Sequence, residues 1–249
     1  MKSAAIRFFA PTHIRYRAFL PTNYFAAYSL KTFYDLYPDR DQRQLRSKLL
    51  RHLGLPPQQF AWAQQVHGNR ISEVRKPGLI ADADGLVTNK FELFLTVAVA
   101  DCLPIYLWCE NPNAIALLHA GWRGSAAGIA SRGVRMMNKL FGCESRTIGA
   151  LLGPAICCSC YQVGPEVARL FDASDLNHDR DSQYFLDLRR VNRRQLEEAG
   201  IESGNILIDE LCTRCHPELL FSHRREGKET GRMIAVLGMM KASEDRIRN

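Results

Sequence analysis

The stretch LFLTVAVADCLPIYLWCENPNAIALLHAGWRG, residues 93–124, constrains the fold of this chain more than any other. It contains two apolar runs, Leu93–Val99 and Ala114–Leu118. Apolar runs of this length, bounded by polar or glycine residues, are typical of buried strands. The first run is soon followed by Cys102 and the second directly by His119. If the two strands are parallel neighbours, the thiol and the imidazole lie at one edge of one sheet, which indicates a functional site.

The rest of the chain mixes helical and strand patterns without a regular order. Asp41–Leu53, Ser125–Leu140 and Leu186–Ala199 have the apolar spacing of amphipathic helices, and each is followed by a glycine. Short strands are predicted within Ile6–Tyr34 and at Phe60–Val66, Ile71–Val74, Ile148–Leu152, Ile206–Ile208, Phe221–His223 and Met233–Leu237. Because there is no β-α-β alternation and no dividing linker, we expect one α+β domain over residues 1–249, a mixed α/β sandwich with mixed β-sheets flanked by helices.

Composition and charge exclude several classes of protein. The net charge is +7, but the 33 lysines and arginines are spread along the chain, whereas nucleic-acid binding usually needs a cluster. No apolar run approaches the length of a membrane span, and the N-terminal residues lack the apolar stretch of a secretory signal. The 8 cysteines are then expected to be reduced thiols. We expect a cytoplasmic protein that binds neither nucleic acid nor membranes.

Three metal-capable side chains stand where predicted strands give way to turns: His67, Cys102 and His119. Two imidazoles and a thiolate would leave one open position on a tetrahedral zinc ion, as in catalytic zinc sites. The alternative is that the three side chains are separate, hydrogen-bonded residues at the ends of their strands. Residue types and spacing alone leave both interpretations open.

Two C-x-x-C pairs, Cys157/Cys160 and Cys212/Cys215, form a second pattern. Together they could bind a structural zinc ion through four thiolates, although the separation of 52 residues from Cys160 to Cys212 exceeds the usual zinc-ribbon spacing. The alternative is ordinary reduced core thiols. The run from Cys212 to His216 also matches the haem-attachment motif C-x-x-C-H, which would require export and is therefore disfavoured.

Seven motifs occur in a fixed order: QVHG at 65–68, DGLVT at 84–88, ADCLP at 100–104, HAGWRG at 119–124, CYQVG at 160–164, FSHRR at 221–225 and TGR at 230–232. Together they resemble the multicopper polyphenol oxidase, or laccase-domain, family. Members of that family are also described as zinc-dependent purine nucleoside phosphorylases with adenosine deaminase activity, and some as peptidoglycan editing factors. The resemblance covers about residues 60–237. The N-terminal segment, Val99 and Gln162 depart from the family pattern, which leaves the substrate range open.

The resemblance implies a fold like that of Cys-His hydrolases and the phosphorolysis of adenosine, inosine and methylthioadenosine, together with deamination of adenosine. It implies zinc as cofactor with copper possible, a nucleoside and phosphate as small-molecule partners, and a monomer or homodimer. The metal ligands would be His67, Cys102 and His119. The catalytic group would comprise Cys102, His119 and Asp101, whose carboxylate would move a proton or support the site.

Phosphate and substrate would be bound by Arg123, Arg70, Gln65 and Arg224. Arg70 and Arg224 are weaker candidates than Arg123, and the alternative that Arg224 is an ordinary surface arginine is favoured. We expect Arg123 to bind phosphate, because the guanidinium fork matches phosphate oxygens and the predicted helix near Ser125 would add backbone amides. Two alternatives remain: a copper-binding polyphenol oxidase, and a hydrolase of peptidoglycan precursors with Cys102 as nucleophile and His119 as base. A blue-copper and trinuclear oxidase draws on many histidines, typically in His-x-His pairs, and none of the 7 histidines forms one.

Overall fold

The computed structural model describes residues 7–17, 20–38, 41–178 and 183–241. In these ranges the strands are β1 Arg7–Ala10, β2 His13–Tyr16, β3 Tyr24–Ser29, β4 Phe60–Ala63, β5 Ile71–Glu73, β6 Gly78–Ile80, β7 Gly85–Thr88, β8 Phe94–Val99, β9 Leu103–Glu110, β10 Asn113–Ala120, β11 Gly149–Leu152, β12 Gln162–Val163, β13 Leu176–His178, β14 Tyr184–Leu186, β15 Ile206–Ile208 and β16 Met233–Met239. The α-helices are α1 Lys31–Leu36, α2 Gln42–His52, α3 Trp122–Ala126, α4 Ile129–Phe141, α5 Pro165–Ala168, α6 Leu188–Glu198 and α7 His223–Glu226.

The strands of the described ranges form two large mixed sheets and a small one. The first sheet has the order β1-β2-β3-β16-β8-β4-β6, and the second has the order β15-β11-β9-β10-β7-β5. Strand β4 is parallel to both of its neighbours in the first sheet, while β11–β15 and β5–β7 are parallel pairs in the second. The small sheet, β12-β14-β13, is antiparallel.

The two large sheets pack face to face, with helices on both outer surfaces. Alternation along each strand separates the faces: Val97 and Leu237 of the first sheet share a buried cluster with Ile115 and Leu117 of the second. The opposite face of the second sheet packs against α4 and α6, and that of the first against α1 and α2. The result is a helix–sheet–sheet–helix sandwich, which confirms the predicted fold class.

The predicted relation between the two central strands is wrong. Strand β8 lies in the first sheet and β10 in the second, so they face each other across the sandwich and are not hydrogen-bonded neighbours. Residues 103–110, which carried no strand prediction, form β9, the antiparallel neighbour of β10. The chain therefore crosses from one sheet to the other at Asp101 and Cys102, and the fold still brings Cys102 to the end of β10 where His119 lies.

Most of the helix and strand predictions hold, with two corrections. Asp41 and Asp187 cap α2 and α6 through their carboxylates, as the patterns at residues 41–53 and 186–199 suggest. The helix expected at Ser125–Leu140 is instead two helices, because Gly128 adopts a left-handed conformation (φ 73°) between α3 and α4. The strand expected at Phe221–His223 is wrong: Ser222 caps the short helix α7 through its hydroxyl.

None of the helices in the described residues is long and apolar enough to span a membrane.

Candidate functional site

The structure brings His67, Cys102 and His119 together, and we call them the His-Cys-His cluster. One ligand atom from each residue lies within 4.8 Å of the other two, and the two imidazole rings meet edge to face with centroids 4.9 Å apart. His119 is buried at the end of β10, Cys102 is partly exposed between the sheets, and His67 is exposed on the turn after β4. The three side chains thus lie close together, and their role as metal ligands stays a prediction.

Asp84, just before β7, fixes the ring of His119 and the backbone of His67. Its carboxylate lies 2.8 Å from His119 Nδ1 and accepts the backbone amides of His67 at 2.9 Å and Gly68 at 2.7 Å. Burial opposes its ionisation, but the hydrogen bonds from His119 and Gly68 keep the pKa of Asp84 below its usual value. Because an ionised carboxylate only accepts, Nδ1 of His119 carries the proton, and Nε2 is the nitrogen left for a ligand.

Two glycines of the HAGWRG motif allow the close packing around this cluster. A Cβ at Gly121 would lie 3.0 Å from Cys102 Sγ and 3.5 Å from His67 Cδ2. A Cβ at Gly124 would lie 2.7 Å from the carbonyl oxygen of Gly68. A larger residue at Gly124 would push α3 away from the turn that carries His67, whereas one at Gly121 would displace the sulfur of Cys102.

Cys102 and His119 favour each other's charged forms. Burial opposes ionisation of the thiol, but the positive charge of His119 outweighs it and lowers the pKa of Cys102 to about 6. For His119, burial likewise opposes protonation, while the Cys102 thiolate and the Asp84 carboxylate raise its pKa to about 9. Without metal, the pair is therefore a thiolate and an imidazolium near neutral pH, which is the state of an activated nucleophile.

Asp101 connects this cluster to three other segments of the chain. Its oxygen Oδ1 accepts the Thr213 hydroxyl, and Oδ2 accepts the Arg224 amide at 2.6 Å. Its carbonyl accepts the amide of Ile156 at 3.0 Å, and it adopts a left-handed conformation with φ 87°. Because both carboxylate oxygens are already hydrogen-bonded, the geometry favours support of the site over proton transfer; the catalytic role of Asp101 stays a prediction.

The cluster lies in a cleft of about 510 Å³, within the usual size range of small-molecule pockets. Two arginines on its walls stack on aromatic rings: the Arg123 guanidinium is 4.1 Å from the Trp122 ring centroid, and that of Arg224 is 5.2 Å from Tyr161. Arg232 also lines the cleft. The walls therefore combine positive charge with flat apolar surfaces, which suits an anion and a planar ring.

The other predicted binding residues differ in position. Gln65 lines the cleft, but its side-chain amide makes two hydrogen bonds to the backbone of Ala98, at 2.7 and 2.8 Å. Arg224, for which the sequence favours a position on the surface, lines the cleft and donates to the carbonyl of Gln162 at 2.8 Å. Arg70 is exposed just before the edge strand β5 and does not line the cleft, so its expected role in binding phosphate is not supported.

The expected helix N-terminus at the anion site also needs correction. The helix that follows Gly121 has only five residues, from Trp122 to Ala126. So short a helix has little of the aligned dipole that favours anions at a helix start. Electrostatic attraction for an anion in this cleft therefore rests on arginine side chains.

Several residues of the site escaped the sequence-based selection. Asp84 holds the cluster, and Trp122, Tyr161, His223 and Arg232 line the cleft. All five lie inside the motifs that carry the family resemblance, so the motifs contained the signal. Their chemistry did not single them out, because a buried carboxylate and two aromatic rings look like ordinary core residues in a sequence.

The His-Cys-His cluster fits a bound zinc ion. The donor set of two imidazoles and one low-pKa thiol matches zinc preference, and three atoms within 4.8 Å of one another can all contact one ion with bonds of about 2.0–2.3 Å after small shifts. The hydrogen bond from His119 to Asp84 is the orienting contact that metal-binding histidines usually make.

The chain is similar in sequence to a known protein family and to purine nucleoside phosphorylases. The sequence model of the multi-copper polyphenol oxidoreductase laccase family matches residues 39–240. The purine nucleoside phosphorylase YlmD of Geobacillus stearothermophilus is 36% identical over 210 residues, which cover 78% of this chain and 77% of that protein. A purine nucleoside phosphorylase of Deinococcus radiodurans is 36% identical over 198 residues, covering 78% of this chain and 76% of the relative.

Solved structures show the same fold. The crystal structure of YlmD from Geobacillus stearothermophilus superposes with a TM-score of 0.86 at 30% identity, covering 95% of this chain and 99% of the other. The structure of a hypothetical protein YfiH from Bacillus licheniformis gives a TM-score of 0.85 at 29% identity, with 92% and 97% covered.

Proposed function

This chain belongs to the multi-copper polyphenol oxidoreductase laccase family, and we propose that it is a zinc-dependent purine nucleoside phosphorylase that also deaminates adenosine. The observation that carries the proposal is the position of the His-Cys-His cluster within a cleft walled by Arg123, Arg224 and two aromatic rings. The names of the relatives support nucleoside processing. Zinc, the two activities and a cytoplasmic location are part of the proposal.

In phosphorolysis, a phosphate oxygen bonds to the anomeric carbon of ribose while the bond to the purine nitrogen breaks, giving ribose 1-phosphate and free base. Arg123 and Arg224 bind the phosphate as charge-assisted donors and hold it against the sugar. Both guanidiniums are stacked on rings, which limits their rotation before phosphate arrives. Trp122 and Tyr161 then offer flat surfaces against which the purine can stack.

The metal ligands would be His67, Cys102 and His119. A zinc ion bound by them would act as a Lewis acid that polarises an oxygen atom at its remaining position. Asp84 keeps His119 in the tautomer that presents Nε2, and Gly121 keeps Cys102 within reach. Asp101 accepts hydrogen bonds from Thr213 and from the backbone amide of Arg224, and so fixes the backbone that carries Arg224.

The direct test is a base-release assay on zinc-loaded protein. Inosine plus phosphate should yield hypoxanthine and ribose 1-phosphate, inosine without phosphate should yield neither, and adenosine should also yield inosine and ammonia. A chelator should abolish both reactions, and zinc should restore them. Cys102→Ala should be inactive, whereas Cys158→Ala, a partly exposed cysteine outside the cluster, should be fully active. Zinc-loaded protein that performs neither reaction would exclude the proposal.

A second candidate is a thiol hydrolase acting on peptidoglycan precursors. The low pKa of Cys102 beside a charged His119 favours it, because that pair is the nucleophile and base of such enzymes in the metal-free state. A sulfur bound to zinc cannot attack, so chelation separates the two functions. Hydrolysis by Cys102 should survive or increase after metal removal, whereas phosphorolysis should stop.

A copper-dependent oxidase has weaker support. Within the described residues, the groups that could hold a metal are the His-Cys-His cluster and a set of four cysteines. Neither has the many histidines of a trinuclear copper centre. The His-Cys-His cluster could still bind copper in place of zinc, because divalent copper binds such ligands more tightly.

A further inference from the structure

Four cysteines far apart in sequence meet beside the second sheet: Cys157, Cys160, Cys212 and Cys215, here called the four-cysteine cluster. Their sulfur atoms all lie within 4.8 Å of one another. None belongs to the His-Cys-His cluster or lines the cleft. We propose that they bind a structural zinc ion through four thiolates, a metal site separate from that of the proposed function and independent of it.

The sheet explains why a separation of 52 residues between the two pairs does not matter. Strands β11 and β15 are parallel neighbours in register, with Ala150 opposite Ile206 and Leu152 opposite Ile208. Parallel strands end at the same edge, so the loops that follow them leave the sheet side by side. Each loop carries one C-x-x-C pair, the spacing at which one turn can present two sulfurs to one ion.

The sulfur geometry fits a metal better than disulfides. The sulfurs of Cys160 and Cys215 are 3.4 Å apart, far beyond a disulfide bond of about 2.05 Å. Zinc–sulfur bonds of about 2.3 Å in a tetrahedron place the sulfurs about 3.8 Å apart. The 3.4 Å between Cys160 and Cys215 and the limit of 4.8 Å for all pairs lie on either side of that value.

Groups around the cluster stabilise the thiolate form of the cysteines. The backbone amide of Cys157 donates to Cys212 Sγ at 3.3 Å, a contact typical of the amides that surround metal-bound thiolates. The guanidinium of Arg214 interacts with Cys160 and brings positive charge to the rim. Four thiolates on one zinc ion carry a net charge of −2, which the arginine partly offsets.

The two loops are already linked by the backbone. Ala155 and Cys212 form an isolated parallel bridge, and the buried guanidinium of Arg189 donates to the carbonyls of Ala155 and Leu211. These bonds hold the two C-x-x-C turns at a fixed separation before any ion binds. Because the loops are already ordered, metal binding has a smaller entropic cost.

This metal would also stabilise one side of the cleft. Thr213, next to Cys212, donates to the carboxylate of Asp101, and Ile156, next to Cys157, donates to its carbonyl. Tyr161, next to Cys160, lines the cleft under Arg224. The ion would thus lock both loops that orient Asp101 and Tyr161, while all four of its coordination positions are filled and none is open to substrate.

The test is the metal content of the full chain, purified under reducing conditions without a histidine tag. Elemental analysis should find about two zinc ions per wild-type chain and about one in the variant His67→Ala/Cys102→Ala. Zinc X-ray absorption of that variant should show four sulfurs at about 2.3 Å and no nitrogen. This readout needs no change in the four-cysteine cluster, so it does not depend on how variants of that cluster fold.

Variants of the cluster supply the complementary result. Cys157→Ser/Cys212→Ser should lose about one zinc ion per chain, whereas Cys158→Ser, a control in the same turn but outside the cluster, should lose none. Three results would overturn the proposal. The first is a His67→Ala/Cys102→Ala variant without metal, the second is pairing of the four sulfurs as disulfides under reducing conditions, and the third is bound iron instead of zinc. Failure of nucleoside phosphorolysis would leave it standing, since the measurement counts metal and not turnover.

Discussion

The carboxylate of Asp84 lies 2.8 Å from Nδ1 of His119, and both side chains are buried. The same carboxylate accepts the amides of His67 and Gly68, so one acidic group fixes the ring of one expected metal ligand and the backbone of another. Metal-binding histidines that lose such an orienting partner typically lose about 10- to 100-fold in metal affinity.

Asp84→Asn should therefore weaken zinc binding at the His-Cys-His cluster by about 10- to 100-fold. An asparagine of the same shape has only one acceptor oxygen, so it leaves at least one of these donors unpaired and destabilises the fold by about 1–3 kcal/mol. Competition with a chromophoric chelator measures the affinity, and thermal unfolding measures the stability. Asp82→Asn is the matched control, because Asp82 is exposed and its left-handed backbone suits asparagine. Equal affinities for the two variants would contradict the role of Asp84.

Metal-free protein should show an unusually reactive Cys102 at low pH. Its alkylation by iodoacetamide, followed on the Cys102 peptide by mass spectrometry, should rise with a midpoint near pH 6, the pKa set by the charge of His119. His119→Ala should move the midpoint to higher pH, and zinc should block the reaction. Cys158 in the same sample is the control, because zinc should leave its rate of alkylation unchanged. A midpoint near pH 9 in the unsubstituted protein would show that the ion pair does not form.

The same two groups give the metal-free fold a defined pH dependence. Folding lowers the pKa of Cys102 from 9.0 to about 6, so its contribution to stability is full above pH 9 and is lost as pH falls through about 6. Folding raises the pKa of His119 from 6.5 to about 9, so its contribution is full below pH 6.5 and is lost as pH rises through about 9. Because each of these pKa shifts depends on the charge of the other group, their attraction exists only where both are charged, from about pH 6 to about pH 9. In denaturant unfolding of metal-free protein, the stability lost in His119→Ala should therefore be largest between pH 6 and 9 and smaller on either side.

Arg123→Ala should affect phosphorolysis far more than deamination, because only phosphorolysis binds an anion. Loss of one charge-assisted donor should lower kcat/KM for inosine plus phosphate by about 10- to 100-fold. Zinc content and adenosine deamination should change little. Arg135→Ala, an exposed arginine on α4 outside the cleft, is the control. Equal loss of both activities with metal retained would mean that Arg123 organises the turn and that another arginine holds the phosphate.

Gly121→Ala should loosen the metal site without unfolding the chain. The φ of Gly121 is −78°, so alanine fits the backbone, but its Cβ would lie 3.0 Å from Cys102 Sγ. The sulfur must shift by a few tenths of an ångström, and zinc affinity should fall by about 10-fold, since metal ligands tolerate deviations of about 0.2 Å. Gly204→Ala should match the wild type, because no atom of the described residues lies within 4 Å of its added Cβ. Unchanged affinity in Gly121→Ala would show that the sulfur has room to move.

Local patterns in the sequence were sufficient for the elements that obey local rules. Helix α2 begins after Asp41, whose carboxylate caps it, and ends beside Gly54, as its apolar stripe predicts. The three metal-capable residues were identified because each comes where an apolar run gives way to a turn. The sequence does not show the break between α3 and α4, because a glycine can adopt either a helical or a left-handed conformation. Gly128 is left-handed, whereas Gly133, in the same apolar pattern, is helical.

Pairing between distant segments was decided by the tertiary structure alone. The sequence predicts β8 and β10 as buried strands but does not show that they belong to different sheets. Both strands are buried on both faces, so their apolar patterns are the same. In the same way, spacing disfavoured joining Cys157/Cys160 to Cys212/Cys215, while the parallel pairing of β11 with β15 brings them together. Residue chemistry thus determined which side chains could bind a metal, and sheet topology determined which of them meet, because hydrogen bonding between strands is independent of their separation along the chain.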